Sequence, residues 1–275
     1  VSDPFLATLQ AHLGDRYRIH GEVARGGMAR VYKADDLVGG GLVAIKVLRP
    51  ELGSSVGPDR FLREIRILAR LHHPNILPLL DSRNADGHLC YISPFIAGAS
   101  LQRRLARESG LPWDTVVGIA RDLAAALDYA HLSDVIHRDV KPGNVLLDET
   151  RAIVCDFGVA RAVELAGGDR LATSSGFAVG TPTYMSPEQA TGGSLDYRCD
   201  IYSMGCVLYE MLTGEPPFTG ATAQAVLARS LAGAIPPIRT VRPDVPERAE
   251  LAIRAALAGD RERRPRSAGE LAGRL

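Results

Sequence analysis

The stretch His137-Arg138-Asp139-Val140-Lys141-Pro142-Gly143-Asn144, with Asp156-Phe157-Gly158 beginning twelve residues after it, decides how this chain is read. Moving a phosphoryl group asks for little covalent help from a protein. It needs a hydroxyl held in line and cations set against the phosphate oxygens. Asp139 is suited to orient the hydroxyl, and Asn144 and Asp156 supply oxygen donors for Mg²⁺. That ion keeps waters and substrate phosphates in its shell, so two protein groups suffice. The plain alternative is a polar loop of chance composition. Six specified residues within eight positions, and a second motif at a fitting distance, argue against it.

Working outward, Val43 to Leu48 alternates, with Val43, Ile45 and Val47 on one face and Ala44, Lys46 and Leu48 on the other. Residues 58–71 read as a helix opened by Pro58 and Asp59 and lined by Phe61, Ile65 and Leu68. Glu64 falls on that apolar face, where a carboxylate is costly to bury unless a cation meets it. Beyond Gly98 the pattern turns helical, first over 113–132, with Val116, Val117, Ala120, Leu123, Leu127 and Ala130 at helix spacing. Short strands are expected at Val145–Leu147 and Ile153–Cys155. A Gly-, Ser- and Thr-rich stretch from Val163 to Gly180 has the length of a functional or disordered loop. Helices are expected again over 200–213, 221–232, 246–258 and 267–275. Phe5, Leu6, Leu9 and Leu13 are spaced for a short helix within residues 1–16, with nothing to say what it would pack against.

The bulk numbers agree with one large domain or two lobes. The chain has 275 residues, 46% of them hydrophobic, with 32 basic and 32 acidic side chains. Zero net charge gives no electrostatic reason for a nucleic-acid or membrane-surface partner. Cys90, Cys155, Cys199 and Cys206 show neither a C-x-x-C pair nor a metal-ligand rhythm, which fits packed thiols in a reducing cytoplasm. No apolar run approaches the span of a bilayer. The first residue is Val1, which suits a piece of a longer protein, including the intracellular part of a membrane-anchored one.

On these motifs the chain resembles the eukaryotic-like (Hanks-type) protein kinases, and within them the bacterial serine/threonine kinases, over residues 17–275. The resemblance implies an α+β, bilobal protein-kinase fold. Residues 17–96 would form a small β-rich N-lobe with a five-stranded antiparallel sheet, residues 97–275 a larger helical C-lobe, and residues 1–16 an extension. ATP would lie between the lobes with Mg²⁺ or Mn²⁺, and protein hydroxyls would be the acceptors. Asp139 matches the catalytic Asp, and Lys141 the lysine that neutralises the transferring phosphate. Asn144 and Asp156 match the metal ligands. Lys46 matches the ATP lysine and Glu64 its helix partner, while Thr181 matches the threonine bridging the catalytic Asp and Lys.

The resemblance also implies a nucleotide pocket made from Ala24, Gly26, Gly27, Val31, Ala44, Ser93, Phe95, Ile96 and Leu146. Ala24-Arg25-Gly26-Gly27-Met28-Ala29-Arg30-Val31 keeps only the middle glycine of the family's G-x-G-x-x-G-x-V, so nucleotide affinity is the property this departure touches. Ser93 aligns with the gatekeeper, and the backbone of Phe95 and Ile96 with the adenine-binding hinge. Leu68, Leu79, His137 and Phe157 would stack between the lobes. Asp200 would fix the catalytic loop and Arg264 would pair with Glu188. Arg60, Arg138 and Arg161 would receive a phosphate on Thr173, Ser175 or Ser174. Two rivals are a pseudokinase scaffold and a small-molecule phosphotransferase. The occupied catalytic positions oppose the first, and the segment Gly180 to Glu188, suited to an extended peptide, opposes the second.

Overall fold

The computed structural model describes residues 4–26, 29–49, 57–149, 151–159 and 182–275. Gly27, Arg161, Thr173, Ser174, Ser175 and Thr181 lie outside them. The described residues form two compact units. One takes in the residues up to 72 together with 77–97, and the other takes in 73–76 and the residues from 98 onward.

The first unit is built on an antiparallel sheet of β1 (Tyr17–Arg25), β2 (Ala29–Asp36), β3 (Leu42–Leu48), β4 (Asp81–Ala85) and β5 (His88–Pro94), in the order β1-β2-β3-β5-β4. The tight turn between β4 and β5 is Asp86-Gly87, both with positive φ (52° and 81°). That backbone matches the twist of a two-residue hairpin, and the Asn84 side chain accepts from Gly87 N at 2.9 Å. Along β3 the expected alternation holds, with Val43, Ile45 and Val47 buried and Ala44 and Lys46 half-buried. The buried set joins Tyr32, Ala34, Cys90 and Ile92 in one core. A helix, α1 (Pro4–Leu13), closes that core with Leu9 and Leu13. The spacing of residues 5–13 therefore encodes a packed helix, and its partner is the sheet face opposite to Lys46. Helix α2 (Pro58–Leu68) packs on β4 and buries Phe61 and Ile65.

Arg16 ties the end of α1 to the sheet. Its guanidinium reaches Asp36 at 3.1 Å and Asp81 at 3.5 Å. The same Asp36 carboxylate accepts from Val38 N and Gly39 N and so orders the β2–β3 turn. The Arg16 hydrogen bond, helped by Gly39 N–H, holds the Asp36 pKa down at about 2. A lowered folded pKa stabilises the fold above the unfolded value near 4 and loses that contribution as pH falls toward 2. The gap in melting temperature between wild type and Asp36→Asn is expected to be constant at neutral pH. It should close between about pH 4 and about pH 2 in a pH series of thermal melts.

The second unit is helical around α4 (Trp113–Leu132) and the nearly all-buried α6 (Arg198–Thr213), with α7 (Ala223–Ala232), α8 (Glu247–Ala256) and α9 (Ala268–Gly273). Asp128 on α4 accepts from Ala268 N and Gly269 N, both at 2.9 Å, and so fastens the start of α9. A small sheet of β6 (Ala99–Ser100), β7 (Val145–Leu147) and β8 (Ala152–Val154) lies at one side, and the short helix α3 (Leu101–Leu105) follows β6. Gly98 passes so close to β7 that a Cβ there would sit 1.7 Å from the Leu147 carbonyl oxygen, which explains the glycine. Residues 73–76 extend this sheet. Ile76 bridges Val154 in parallel, Val154 N donates to Asn75 O, and the Asn75 amide donates to Ala152 O at 2.9 Å.

Most expected elements appear with shifted ends. The helix expected over 58–71 stops at Leu68, because Arg70 N and Leu71 N bond back three residues to Ile67 O and Leu68 O and tighten the chain into a turn. The strand expected at Ile153–Cys155 is Ala152–Val154, since Cys155 N turns to bond Asn144 O.

Candidate active site

The segment His137–Asn144 is a loop between α4 and β7, and its shape follows from where its polar groups are satisfied. Asp200, the third residue of α6, is completely buried. It accepts from His137 N and Arg138 N, each at 2.8 Å, and from His131 Nε2 at 2.8 Å. Burial opposes its charge, yet the bond and charge of His131 and the bond from His137 N hold its pKa below the ordinary value. Three donors on one carboxylate allow Arg138 to take a left-handed φ of 67°, which turns the chain and presents Asp139.

Two further bonds fix the ring of His137. Nδ1 accepts from Asp139 N at 3.2 Å, while Nε2 faces the Cys155 carbonyl at 2.9 Å. A carbonyl can only accept, so the proton resides on Nε2. The ring also meets that of Phe157 at 4.6 Å between centroids. Of the expected stack, these two side chains touch, and Leu68 and Leu79 are half-buried in the other unit.

Asp139, Lys141 and Asn144 form a tight group. Lys141 Nζ lies 2.6 Å from Asp139 Oδ2, and the Asn144 amide donates to Asp139 O at 2.8 Å and to Oδ2 at 3.0 Å. Both acceptors are oxygens, so the NH₂ end of Asn144 must face them and the amide oxygen points elsewhere as a donor for a cation. Cys155 N donates to Asn144 O at 2.9 Å, which ties the backbone beside Asp156 to that of Asn144. Asp156 takes a φ of 65° and Gly158 one of 59°. An amide oxygen and a carboxylate are hard donors that fit Mg²⁺ or a similar divalent ion sharing its shell with phosphate and water. Leu146 is half-buried on β7, opposite Ile153.

Downstream, Ser186 and Gln189 form a capping box that starts α5 (Pro187–Ala190), and the Gln189 amide also donates to Arg138 O at 2.8 Å. Glu188 makes a two-pronged pair with Arg264, at 2.6 and 2.8 Å, and the arginine side chain is fully buried. Burial works against the Glu188 charge, but the Arg264 bonds outweigh it and lower the pKa. Removing one partner of such a pair costs about 3–5 kcal/mol, so this contact locks the segment after residue 181 to the helical unit.

In the sheet unit, Ala24, Val31, Ala44, Lys46 and Ser93 of the expected nucleotide set share the face away from α1. Ala24 pairs with Val31, Val31 with Lys46, and Lys46 with Tyr91, while Ala44 pairs with Ser93. Gly26 N donates to Ala29 O at 2.9 Å and closes the base of the loop that contains Gly27. Lys46 Nζ lies over the Tyr91 ring at 5.8 Å. Glu64 is half-buried on α2, and among the described residues no ion pair joins it to Lys46. Phe95 N donates to Leu42 O at 2.9 Å, so this N–H extends the β3–β5 ladder. Of the hinge groups expected from the sequence, this bond leaves the Phe95 carbonyl and the backbone of Ile96. Pro94 has no N–H to offer.

Set against known proteins, residues 17–269 match the family described as Protein kinase domain. The chain belongs to the protein kinase family. Among curated relatives, it is 39% identical over 264 residues to the DNA damage-responsive serine/threonine-protein kinase RqkA of Deinococcus radiodurans, covering 94% of this chain and 39% of that protein. It is 41% identical over 227 residues to the serine/threonine-protein kinase PknB of Mycobacterium tuberculosis, covering 80% of this chain and 36% of the relative. The kinase domain thus spans between a third and two fifths of these relatives. The solved kinase domain of PknI from Mycobacterium tuberculosis is similar with a TM-score of 0.75 and 28% identity, over 94% of this chain and 93% of the other. The kinase domain is therefore of the bacterial serine/threonine type, with an antiparallel sheet in its N-lobe and helices in its C-lobe. No helix among the described residues is long and apolar enough to cross a membrane.

Two residues of this kinase domain that shape the catalytic loop carry no signal in the sequence. His131 lies six residues before His137 and reads there as one more helix residue. Nothing in the sequence marks Gln189 or its bond to the backbone of Arg138. All four cysteines are buried, in keeping with packed thiols.

Proposed function

We propose that this domain transfers the γ-phosphate of Mg·ATP to serine or threonine hydroxyls of proteins, its own activation segment included. The observation that carries this reading is the Asp139–Lys141–Asn144 group, held at 2.6 to 3.0 Å on a loop anchored by buried Asp200. Asp139 orients the acceptor hydroxyl and takes its proton as the oxygen attacks phosphorus. Lys141, bonded to the same carboxylate, is placed to offset charge on the moving phosphoryl oxygens. The oxygens of Asn144 and Asp156 would hold the divalent ion, which supplies charge neutralisation at the phosphates when bound. Lys46 is assigned to the α- and β-phosphates, with Glu64 as its partner in the nucleotide-loaded state. Ala24, Gly26, Gly27 and Val31 cover the nucleotide. Ala44, Ser93, Phe95, Ile96 and Leu146 surround the adenine, and Thr181 bridges Asp139 and Lys141.

The domain division proposed is a kinase domain from residue 17 to 275 behind a short extension, acting on the cytoplasmic side as part of a longer chain. Incubating the purified domain with γ-labelled ATP and Mg²⁺ tests the reading. Label is expected on Ser or Thr, with phosphopeptides mapping between 159 and 180. Complete absence of label on the domain and on generic protein acceptors would end it.

Ser93 is a small, buried residue opposite Ala44. In the gatekeeper role it leaves room for ligands with bulk behind the adenine. Ser93→Met is expected to weaken such a ligand by about tenfold or more while leaving the KM for ATP within about threefold, read by competition binding.

A further inference from the structure

The match to the kinase family begins at residue 17, yet the structure continues its sheet core into the residues before it. Helix α1 lies across the whole sheet, touching β1 at one edge and β4 at the other. Its contacts run along the β1–β2 hairpin, whose closed end is the loop assigned to the nucleotide. At the open end, Arg16 O accepts from Leu37 N at 2.8 Å. Further along, the Gln10 amide binds the outer edge of β1 at two points. Its oxygen accepts from Ile19 N at 2.9 Å, and its nitrogen donates to Tyr17 O at 3.0 Å. A neighbouring strand would make the same pair of bonds to an edge strand.

Near the closed end, Phe5 packs its ring 6.2 Å from that of Tyr32 and edge-on to His88 at 4.8 Å, under the Arg30 guanidinium at 5.1 Å. Arg30 pairs with Arg25 across the hairpin, and these two residues flank the turn whose base is closed by Gly26 N and Ala29 O. The loop they flank lacks two of the three glycines of its family pattern, with Ala24 and Ala29 in their places.

We propose that α1 is a positioning element for nucleotide binding, with Phe5 and Gln10 as positioning residues that act through Arg30 and β1 on the phosphate-covering loop. The helix touches the sheet on the face opposite to Lys46 and Val31, so it sets the curvature and edge of the hairpin without contacting nucleotide. This inference rests on the reading of residues 24–31 as the nucleotide loop.

The test uses the domain with α1 intact and compares wild type, Phe5→Ala, Gln10→Ala and Asp128→Ala, the last loosening α9 in the other unit. Melting temperature, KM for ATP, kcat at saturating ATP and the Kd for a fluorescent ATP analogue are measured where every variant is folded by circular dichroism. Phe5→Ala and Gln10→Ala are expected to raise the KM and Kd for nucleotide by roughly threefold to tenfold with kcat within about twofold. Asp128→Ala should lower the melting temperature and leave the KM at the wild-type value. Helix variants that melt earlier with unchanged KM and Kd would overturn the proposal, leaving α1 as a stabiliser only. If Phe5→Ala does not fold, Phe5→Leu keeps the apolar cover, removes the aromatic face under Arg30 and is read by the same split. A wild type that binds no ATP analogue would instead remove the nucleotide reading, and this inference with it.

Discussion

Asp139→Asn is expected to reduce phosphate incorporation by about a thousandfold or more, while the Kd for Mg·ATP stays within a few-fold of wild type. Three features set the size of this effect. An amide cannot take the proton of the attacking hydroxyl, so the transfer step loses its base. The Asp139 carboxylate also accepts from Lys141 at 2.6 Å and Asn144 at 3.0 Å. Both donors meet the same oxygen, Oδ2, so an amide oxygen in its place can still accept from both, but Lys141 loses the anion that holds it. The expected pattern is thus a kcat effect with preserved binding, which marks an interaction made in the transition state. Intact-mass spectrometry after incubation with Mg·ATP reads it directly, with wild type gaining phosphates and the variant remaining at its starting mass.

Asp200→Ala is expected to combine loss of stability with loss of activity. The substitution leaves the buried backbone N–H of His137, the partly buried N–H of Arg138 and the His131 ring without an acceptor. Each orphaned donor costs about 1–3 kcal/mol, so a total of roughly 3–9 kcal/mol is expected in denaturant unfolding. Arg138 then has little reason to keep its left-handed φ of 67°, and Asp139 loses its aim. Misplacement on the scale of an ångström is enough for about a hundredfold loss in kcat. His131→Phe separates the two effects, because it removes one donor and leaves both backbone bonds to Asp200. That variant should be destabilised by a smaller amount and keep most of its activity. The pH dependence has a fixed sign. The lowered folded pKa of Asp200 means that its contribution is present above the usual carboxylate range and is lost only as pH falls below it.

The parts of the site that could be read in the sequence are those whose chemistry lies in consecutive residues. Asp139, Lys141 and Asn144 fall within six positions of one another, and the loop that carries them can adopt few shapes. The two faces of β3 were equally plain, because a period of two separates Val43, Ile45 and Val47 from Ala44 and Lys46. What stayed hidden involves side chains bonding to backbone far away. His131 reads as one more position of α4 until Asp200 is folded against it, and nothing singles out Gln189 until its amide meets Arg138 O. Helix α1 shows the same limit, since periodicity reveals that it has an apolar face but not which surface that face meets. The hinge illustrates a different one. Phe95 and Ile96 read alike in sequence, and only strand register assigns the Phe95 N–H to Leu42.

Lys46, Asp139, Asn144 and Asp156 serving a single nucleotide is the proposition on which the rest depends. A crystal structure of the domain with a non-hydrolysable ATP analogue and Mg²⁺ addresses it without an intermediary. The expected density has the α- and β-phosphates at Lys46, the cation ligated by Asn144 and Asp156, and the γ-phosphate facing Asp139. A nucleotide bound elsewhere, or a cation that ignores Asn144 and Asp156, would contradict it.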